Sequence, residues 1–310
     1  MRFVATSLLT GVLLVAGFAP PSPAAPPATA EYGPMKTAGL LDDPRVTESS
    51  GLAPSRAHPG QLWTHNDSGG RARLFRFDPQ KPQTGAAAVV TLDLPRPKDW
   101  EDMAAFVWKD LPWLLVADVG DNQAKRDFVT LWLLREEDWV GPTHQTTAFR
   151  IDLRYADGPR DCEAVAVDSA RGEVILVSKI DSRRDFREQA AAYVFHLEEA
   201  LRRILETSSG QPDPLVLEPV ARLPLKITTA ADVSPDGRRL VVATYGDAWE
   251  YARGEDETWP QALAKPPRQI ALGPRGQSES ICYGLDGQTL WLTAEGVGKP
   301  VWSVSRRETQ

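Results

Sequence analysis

Cysteine is nearly absent from this chain: two residues in 310, Cys162 and Cys282. Neither has Cys or His partners at zinc-site spacing, which excludes a zinc finger or ribbon. Histidine is almost as scarce. The four residues at 58, 65, 144 and 196 are too scattered to predict a His-based metal centre. Positive charge is not in surplus either, with 35 Lys and Arg against 42 Asp and Glu and a formal net charge of -7. Binding a phosphate backbone needs an excess of Lys and Arg, so no nucleic-acid partner is expected. A small anionic substrate needs only a local basic patch and stays open. Beyond residue 30 no apolar run is long enough to span a bilayer, so no membrane span is expected in the mature chain.

The one long apolar run lies at the start. Arg2 is followed by FVATSLLTGVLLVAGFA at 3–19, and Ala28-Thr29-Ala30 offers small residues for cleavage. A charged end, an apolar stretch and a small-residue site together predict a signal peptide over residues 1–30. The mature protein, 31–310, is then expected as a single secreted, extracellular domain.

What the sequence does have is a repeat. Five segments share one plan: an acidic or hydroxyl residue, a short strand, a turn, a second apolar strand and a polar cluster. They read ESSGLAPSRAHPGQLWTHND, WEDMAAFVWKDLPWLLVADVGDN, CEAVAVDSARGEVILVSKID, TAADVSPDGRRLVVATYGD and ESICYGLDGQTLWLTAEG. The turns carry Pro-Gly, Lys-Asp, Arg-Gly, Asp-Gly and Asp-Gly, most of them hairpin signals. A third strand follows each pair, and in four repeats a fourth. Four antiparallel strands repeated radially make a propeller blade, so the fold expected is an all-β, five-bladed β-propeller. The final repeat has three strands, and the stretch from Tyr32 to Leu41 can supply its fourth and close the ring. Six blades is the alternative, with the extra blade in the longer intervals before Glu163 and Thr229. LEEALRRIL at 197–205, in the second of these, has helical periodicity. The repeat puts Cys162 and Cys282 in non-neighbouring blades, so two unpaired buried thiols are expected. The ten Trp, Trp63 and Trp100 among them, are expected to pack between blades.

Ser50, Glu101, Glu163, Thr229 and Glu279 occupy equivalent positions, separated by 51, 62, 66 and 50 residues. Sixteen or seventeen residues after each comes Asn66, Asp118, Lys179, Tyr245 or Glu295. Inner strands of a propeller line its axis, so the first set predicts a ring of three carboxylates and two hydroxyls. Crowded carboxylates repel one another unless protons or a cation intervene. A donor set made only of oxygen suits Ca²⁺, with Mg²⁺ or Mn²⁺ needing tighter geometry. The competing reading has these acids bonded to backbone amides of neighbouring blades. Glu48 and Asp232 lie close enough in sequence to stand in for Ser50 and Thr229. A second polar layer is expected at the channel mouth: Asn66, Asp67, Asp118, Asp121, Asn122, Lys179, Asp181, Tyr245, Asp247 and Glu295, with Arg71, Arg126, Arg183 and Arg184 in adjacent loops. The DVGDN stretch at 118–122 reads as an oxygen-rich turn and lacks EF-hand spacing.

The series ESSGL…LWTHNDSGG, DWEDMA…VGDN, DCEAVAVD, ADVSPDG and SESICYGLDG resembles the secreted bacterial propellers described as phytase- or esterase-like. The ring order Ser, Glu, Glu, Thr, Glu is similar to that of calcium-activated apyrases, which are five-bladed propellers with one axial Ca²⁺. The resemblance implies a Ca²⁺ site at Ser50, Glu101, Glu163, Thr229 and Glu279, and an acidic residue near the substrate at Asp67. Three functions follow as expectations. A Ca²⁺-dependent hydrolase of phosphate esters or anhydrides would use Asp67 or Asp118 as base, with Lys179 and Arg71 stabilising negative charge. A non-catalytic extracellular binding or scaffold propeller would use the ion only to lock its blades. A glycoside hydrolase would pair carboxylates among Glu101, Glu163 and Glu279.

Overall fold

The computed structural model describes residues 31–307, apart from 82, 84, 138–142, 181–188 and 208–209. The expected leader at 1–30 and the candidates Asp181, Arg183 and Arg184 lie outside the described residues. The chain opens on β1 (Lys36–Leu41). Blade one takes β2 (Ser49–Pro54), β3 (Leu62–Asn66), β4 (Arg73–Phe77) and β5 (Ala88–Leu92). Blade two takes β6 (Trp100–Trp108), β7 (Leu111–Asp118), β8 (Val129–Arg135) and, after β9 (Thr143–Thr146), β10 (Phe149–Tyr155). Blade three takes β11 (Cys162–Asp168), β12 (Glu173–Ser178) and β13 (Ala190–His196). Past helix α1 (Leu197–Glu206) and β14 (Leu215–Leu217), it ends with β15 (Pro219–Leu223). Blade four takes β16 (Thr228–Val233), β17 (Arg239–Thr244), β18 (Ala248–Ala252) and, past α2 (Trp259–Leu263), β19 (Arg268–Ile270). Blade five takes β20 (Ser280–Tyr283), β21 (Thr289–Thr293) and β22 (Lys299–Ser305), with β1 as its outer strand. The architecture is a five-bladed β-propeller.

The innermost strands β2, β6, β11, β16 and β20 pack against one another in that order, and β20 returns to β2. Each blade is covered on both faces, which is why its central strands read as nearly continuous apolar runs. One apolar cluster fills each of the five blade-to-blade interfaces. Trp63 and Trp100 are fully buried between blades one and two. Cys162 and Cys282 are free and buried in separate interfaces, as the repeat predicts.

Closure also follows the sequence. Strand β1 runs antiparallel to β22, pairing Lys36 with Ser303 and Leu41 with Lys299. Just ahead of it, the Tyr32 hydroxyl donates to Glu250 Oε1 at 2.5 Å, and the Tyr283 hydroxyl donates to the same oxygen at 2.8 Å. Strand β22 is thereby paired on both sides and is not left as an open edge.

The longer intervals hold no sixth blade among the described residues. They hold α1 and two short strands that visit neighbours: β9 adds parallel to β5 in blade one, and β14 adds parallel to β10 in blade two. The stretch PLVLEPVARLPL, which reads as one strand in the sequence, is therefore two strands belonging to different blades.

Four inner strands slip register at the ring position: between Ser49 and Leu52, Trp100 and Asp102, Cys162 and Ala164, and Thr228 and Ala230. A β-bulge re-aims the side chain it carries. Its recurrence makes Ser50, Glu101, Glu163 and Thr229 structural equivalents as well as sequence equivalents.

Candidate functional site

Two residues apart on an extended chain means one face. Asp99 and Glu101 stand in that relation at the head of β6, and Asp161 and Glu163 at the head of β11. The two pairs meet on the axis, with Asp67 from the loop after β3. Ligand oxygens of Asp67, Asp99 and Glu101 lie within 4.8 Å of one another, and so do those of Glu101, Asp161 and Glu163. Glu101 belongs to both groups.

Gly120 makes room for this. In blades one, three and five, Asp67, Lys179 and Glu295 each donate their backbone N–H to the carbonyl two residues before the ring position. In blade two Gly120 does so, to Asp99 at 3.2 Å. A side chain on Gly120 would overlap the carboxylates of Glu101 and Asp99.

Charge is concentrated here and little of it is balanced. Burial, then the charges of Glu163, Asp67, Asp99 and Asp161, push the Glu101 carboxyl well above its ordinary range. Asp67 is pushed up to about 8 by burial and by the adjoining Asp99. Burial raises Asp99 too. Glu163 is pushed to about 8 by burial, against the pull of Lys179. The Lys179 ammonium is ion-paired to Glu163 Oε1 and stands 5.3 Å from the centre of the Tyr245 ring. Burial alone would lower its pKa, but the Glu163 charge and hydrogen bond raise it.

On the far side of the axis the Tyr245 hydroxyl donates to Glu279 Oε1 at 2.8 Å. Glu295 is pushed up to about 7 by burial and by its contact with Glu279. Glu279 is buried but belongs to neither three-carboxylate group. The Ser50 hydroxyl is directed at a backbone atom, donating to the Glu101 carbonyl at 2.5 Å. The Thr229 hydroxyl is buried with no hydrogen-bond partner among the described residues. Of the five residues expected on the ring, the structure thus brings Glu101 and Glu163 together.

Asp118 does what Asn66 does in blade one. Asn66 Oδ1 accepts from the amides of Thr47 and Glu48 at 3.0 and 3.2 Å. The Asp118 carboxylate accepts from the amides of Lys98 and Asp99 at 3.2 and 3.3 Å, and from Arg126 Nη1 at 2.9 Å. Asp121 accepts from the Arg126 amide, and its own N–H donates to Asp161 Oδ1 at 2.8 Å. DVGDN is therefore a turn that braces Asp99 and Asp161. Arg71 is exposed on the loop before β4. Sequence reasoning missed Asp99 and Asp161 as members of the site. The signal was present as the repeated Asp-x-Glu of DWE and DCE.

One residue past Glu101 on β6, and three past Thr229 on β16, stand two more buried acids. Asp102 is fully buried and accepts from the amides of Met103 at 2.8 Å and of Val165 and Ala231 at 2.9 Å, joining blades two, three and four. Asp232 accepts from Val233 at 2.9 Å and from Tyr283 at 2.8 Å, joining blades four and five. The amide-bonded acids weighed for the ring thus exist, but further along these strands. Asp232 serves there and does not stand in for Thr229.

No family model and no curated protein matches the chain. The resemblance to phytase- or esterase-like propellers and to apyrases gains no support from them. Solved structures do match. The calcium structure of a Carbohydrate-Active Enzymes Family AA12 protein from Trichoderma reesei is 12% identical, with a TM-score of 0.50 over 89% of this chain and 88% of that one. The PQQ-bound aldose sugar dehydrogenase from Streptomyces coelicolor is 12% identical, with a TM-score of 0.48 over 91% of this chain and 99% of that one. At such identity the likeness extends to fold alone. What the chain shares with the AA12 structure is its fold, built here from five blades around an acidic axis.

Proposed function

We propose that this is a secreted propeller that binds a divalent cation at its axial mouth, with Ca²⁺ the ion, and hydrolyses phosphate esters or anhydrides there. The observation that carries the reading is the meeting of Asp67, Asp99, Glu101, Asp161 and Glu163 in two overlapping groups that share Glu101. The residues fit a hard cation. All donors are carboxylate oxygens, the spacing suits oxygen ligands on opposite sides of a Ca²⁺ ion, and Asp67 Oδ1 is buried without a partner among the described residues. Such an ion would neutralise the carboxylates and polarise a phosphoryl oxygen.

The chain's own residues would do the rest. Asp67, held ionised by the cation through one oxygen, would take a proton from the attacking water with the other. Lys179 holds Glu163 in place and adds positive charge where the phosphoryl group gains negative charge. Arg71 meets the anionic substrate from the exposed loop. Asp118, with its oxygens engaged by two amides and Arg126, positions Asp99 in place of serving as base.

Hydrolysis of p-nitrophenyl phosphate and of nucleoside diphosphates by chelated and Ca²⁺-reloaded protein tests this. The expectation is activity restored by Ca²⁺ and lost in Asp67→Asn. Turnover unaffected by excess chelator would sink the cation's role. Ca²⁺-dependent thermal stabilisation without any turnover would select the scaffold reading.

A further inference from the structure

We infer that the mouth holds two divalent cations bridged by Glu101. The inference rests on the cation-binding reading above and sharpens it. The five carboxylates do not form one group: they form two groups of three, overlapping only at Glu101. Oxygens sharing one Ca²⁺ at about 2.4 Å lie at most about 5 Å apart. Each group meets that limit, but the five together do not form a single set within it. One ion therefore satisfies Asp67, Asp99 and Glu101, or Glu101, Asp161 and Glu163.

The Glu101 side chain supplies an independent observation. It is only 5% exposed, and no hydrogen-bond donor reaches its carboxylate among the described residues. A buried carboxylate without a donor costs several kcal/mol unless a cation meets it. Its two neighbours in chemistry are supplied otherwise: Glu163 has Lys179, and Asp102 has three amides. Glu101 instead shares one group with Asp67 and Asp99 and a second with Asp161 and Glu163. A carboxylate has two oxygens, and one to each ion is the usual way a carboxylate bridges a metal pair about 4 Å apart.

Charge points the same way. Asp67 and Asp99 crowd Glu101 within one group and Asp161 and Glu163 crowd it within the other, so a cation in each group would relieve the repulsion that a cation in one alone would leave. Gly120 lets the bridging carboxylate sit where a side chain would otherwise stand.

The test is stoichiometry. Mature protein stripped with chelator is titrated with Ca²⁺ by calorimetry, and its metal content after dialysis is measured by emission spectroscopy. Two ions per chain are expected. Asp99→Asn and Asp161→Asn should each retain one ion, and Glu101→Gln should weaken both by tenfold or more. A Mn²⁺-loaded sample should give the electron paramagnetic resonance spectrum of a spin-coupled pair. One ion per chain in the wild type, or an uncoupled six-line Mn²⁺ spectrum, overturns the bridged pair while leaving the cation-binding reading standing. No ion at all overturns both. Folded Asp99→Asn and Asp161→Asn variants that each lose all binding also overturn the pair, and the wild-type stoichiometry decides if either variant fails to fold.

Discussion

Glu101 and Asp102 are consecutive acids in one inner strand, both buried, yet they sit in opposite chemical situations. Asp102 reaches three backbone amides from three blades. Glu101 reaches other carboxylates. Burial pushes both carboxyls up; for Glu101 the neighbouring acids push the same way, whereas for Asp102 the three amides pull back. The pair shows that buried charge alone does not mark a site. An acid with donors from several elements ties the architecture together, whereas an acid facing others without donors is held ready for a ligand.

The largest effect expected is from Asp102→Ala. It leaves the amides of Val165 and Ala231 buried and unpaired, and should destabilise the fold by about 3–5 kcal/mol. Denaturant unfolding would measure this, and Ca²⁺ should not restore the loss. Recovery with Ca²⁺ would place Asp102 on the ligand's side of the comparison.

Next comes pH. Asp67 and Glu163, at about 8, and Asp232, at about 7, hold protons in the folded state that they release in the unfolded chain at ordinary carboxylate pKa values near 4. Between those limits the native state binds more protons, so the stability of chelated protein should fall as pH rises from about 4 to about 8. Thermal melts in chelator should show it. Saturating Ca²⁺ should flatten the fall at the mouth, because bound carboxylates no longer need protons, and leave the share due to Asp232. An unchanged slope with Ca²⁺ would mean that the mouth acids are not the ligands.

The smallest effect has the opposite sign to the first. In chelated protein at pH 8, Glu101→Gln should raise stability by roughly 1 kcal/mol by removing an unmet charge. A matched pair of unfolding curves would check it, and destabilisation would class Glu101 with Asp102.

The sequence showed much of this fold because a propeller repeats. Inner strands, hairpin turns and the closing role of β1 all recur as local patterns, and the equivalent positions could be aligned from them. β9 and β14 escaped because a strand's edge partner is set by tertiary docking, not by its own residues. At the site, Glu101 and Glu163 were legible as equivalents. Asp99 and Asp161 were not singled out, although Asp-x-Glu puts each on the same face as its glutamate. Asp118 read as a candidate base because spacing reveals where an acid sits, not whether amides and Arg126 already engage it. Asp99 enters the site through Gly120, and a residue that acts by having no side chain leaves little trace in a search for functional groups.

The visiting strands β9 and β14 carry a consequence for biogenesis. Blade one gains its outermost strand only after β8 of blade two has been made, and blade two gains its own only after β13 of blade three and α1 have been made. Blade five must wait for the far end of the chain and then recapture β1. During synthesis, therefore, neither of the first two blades is finished when its own four strands emerge. The nascent protein assembles as an overlapping series, in which each early module is sealed by its successor.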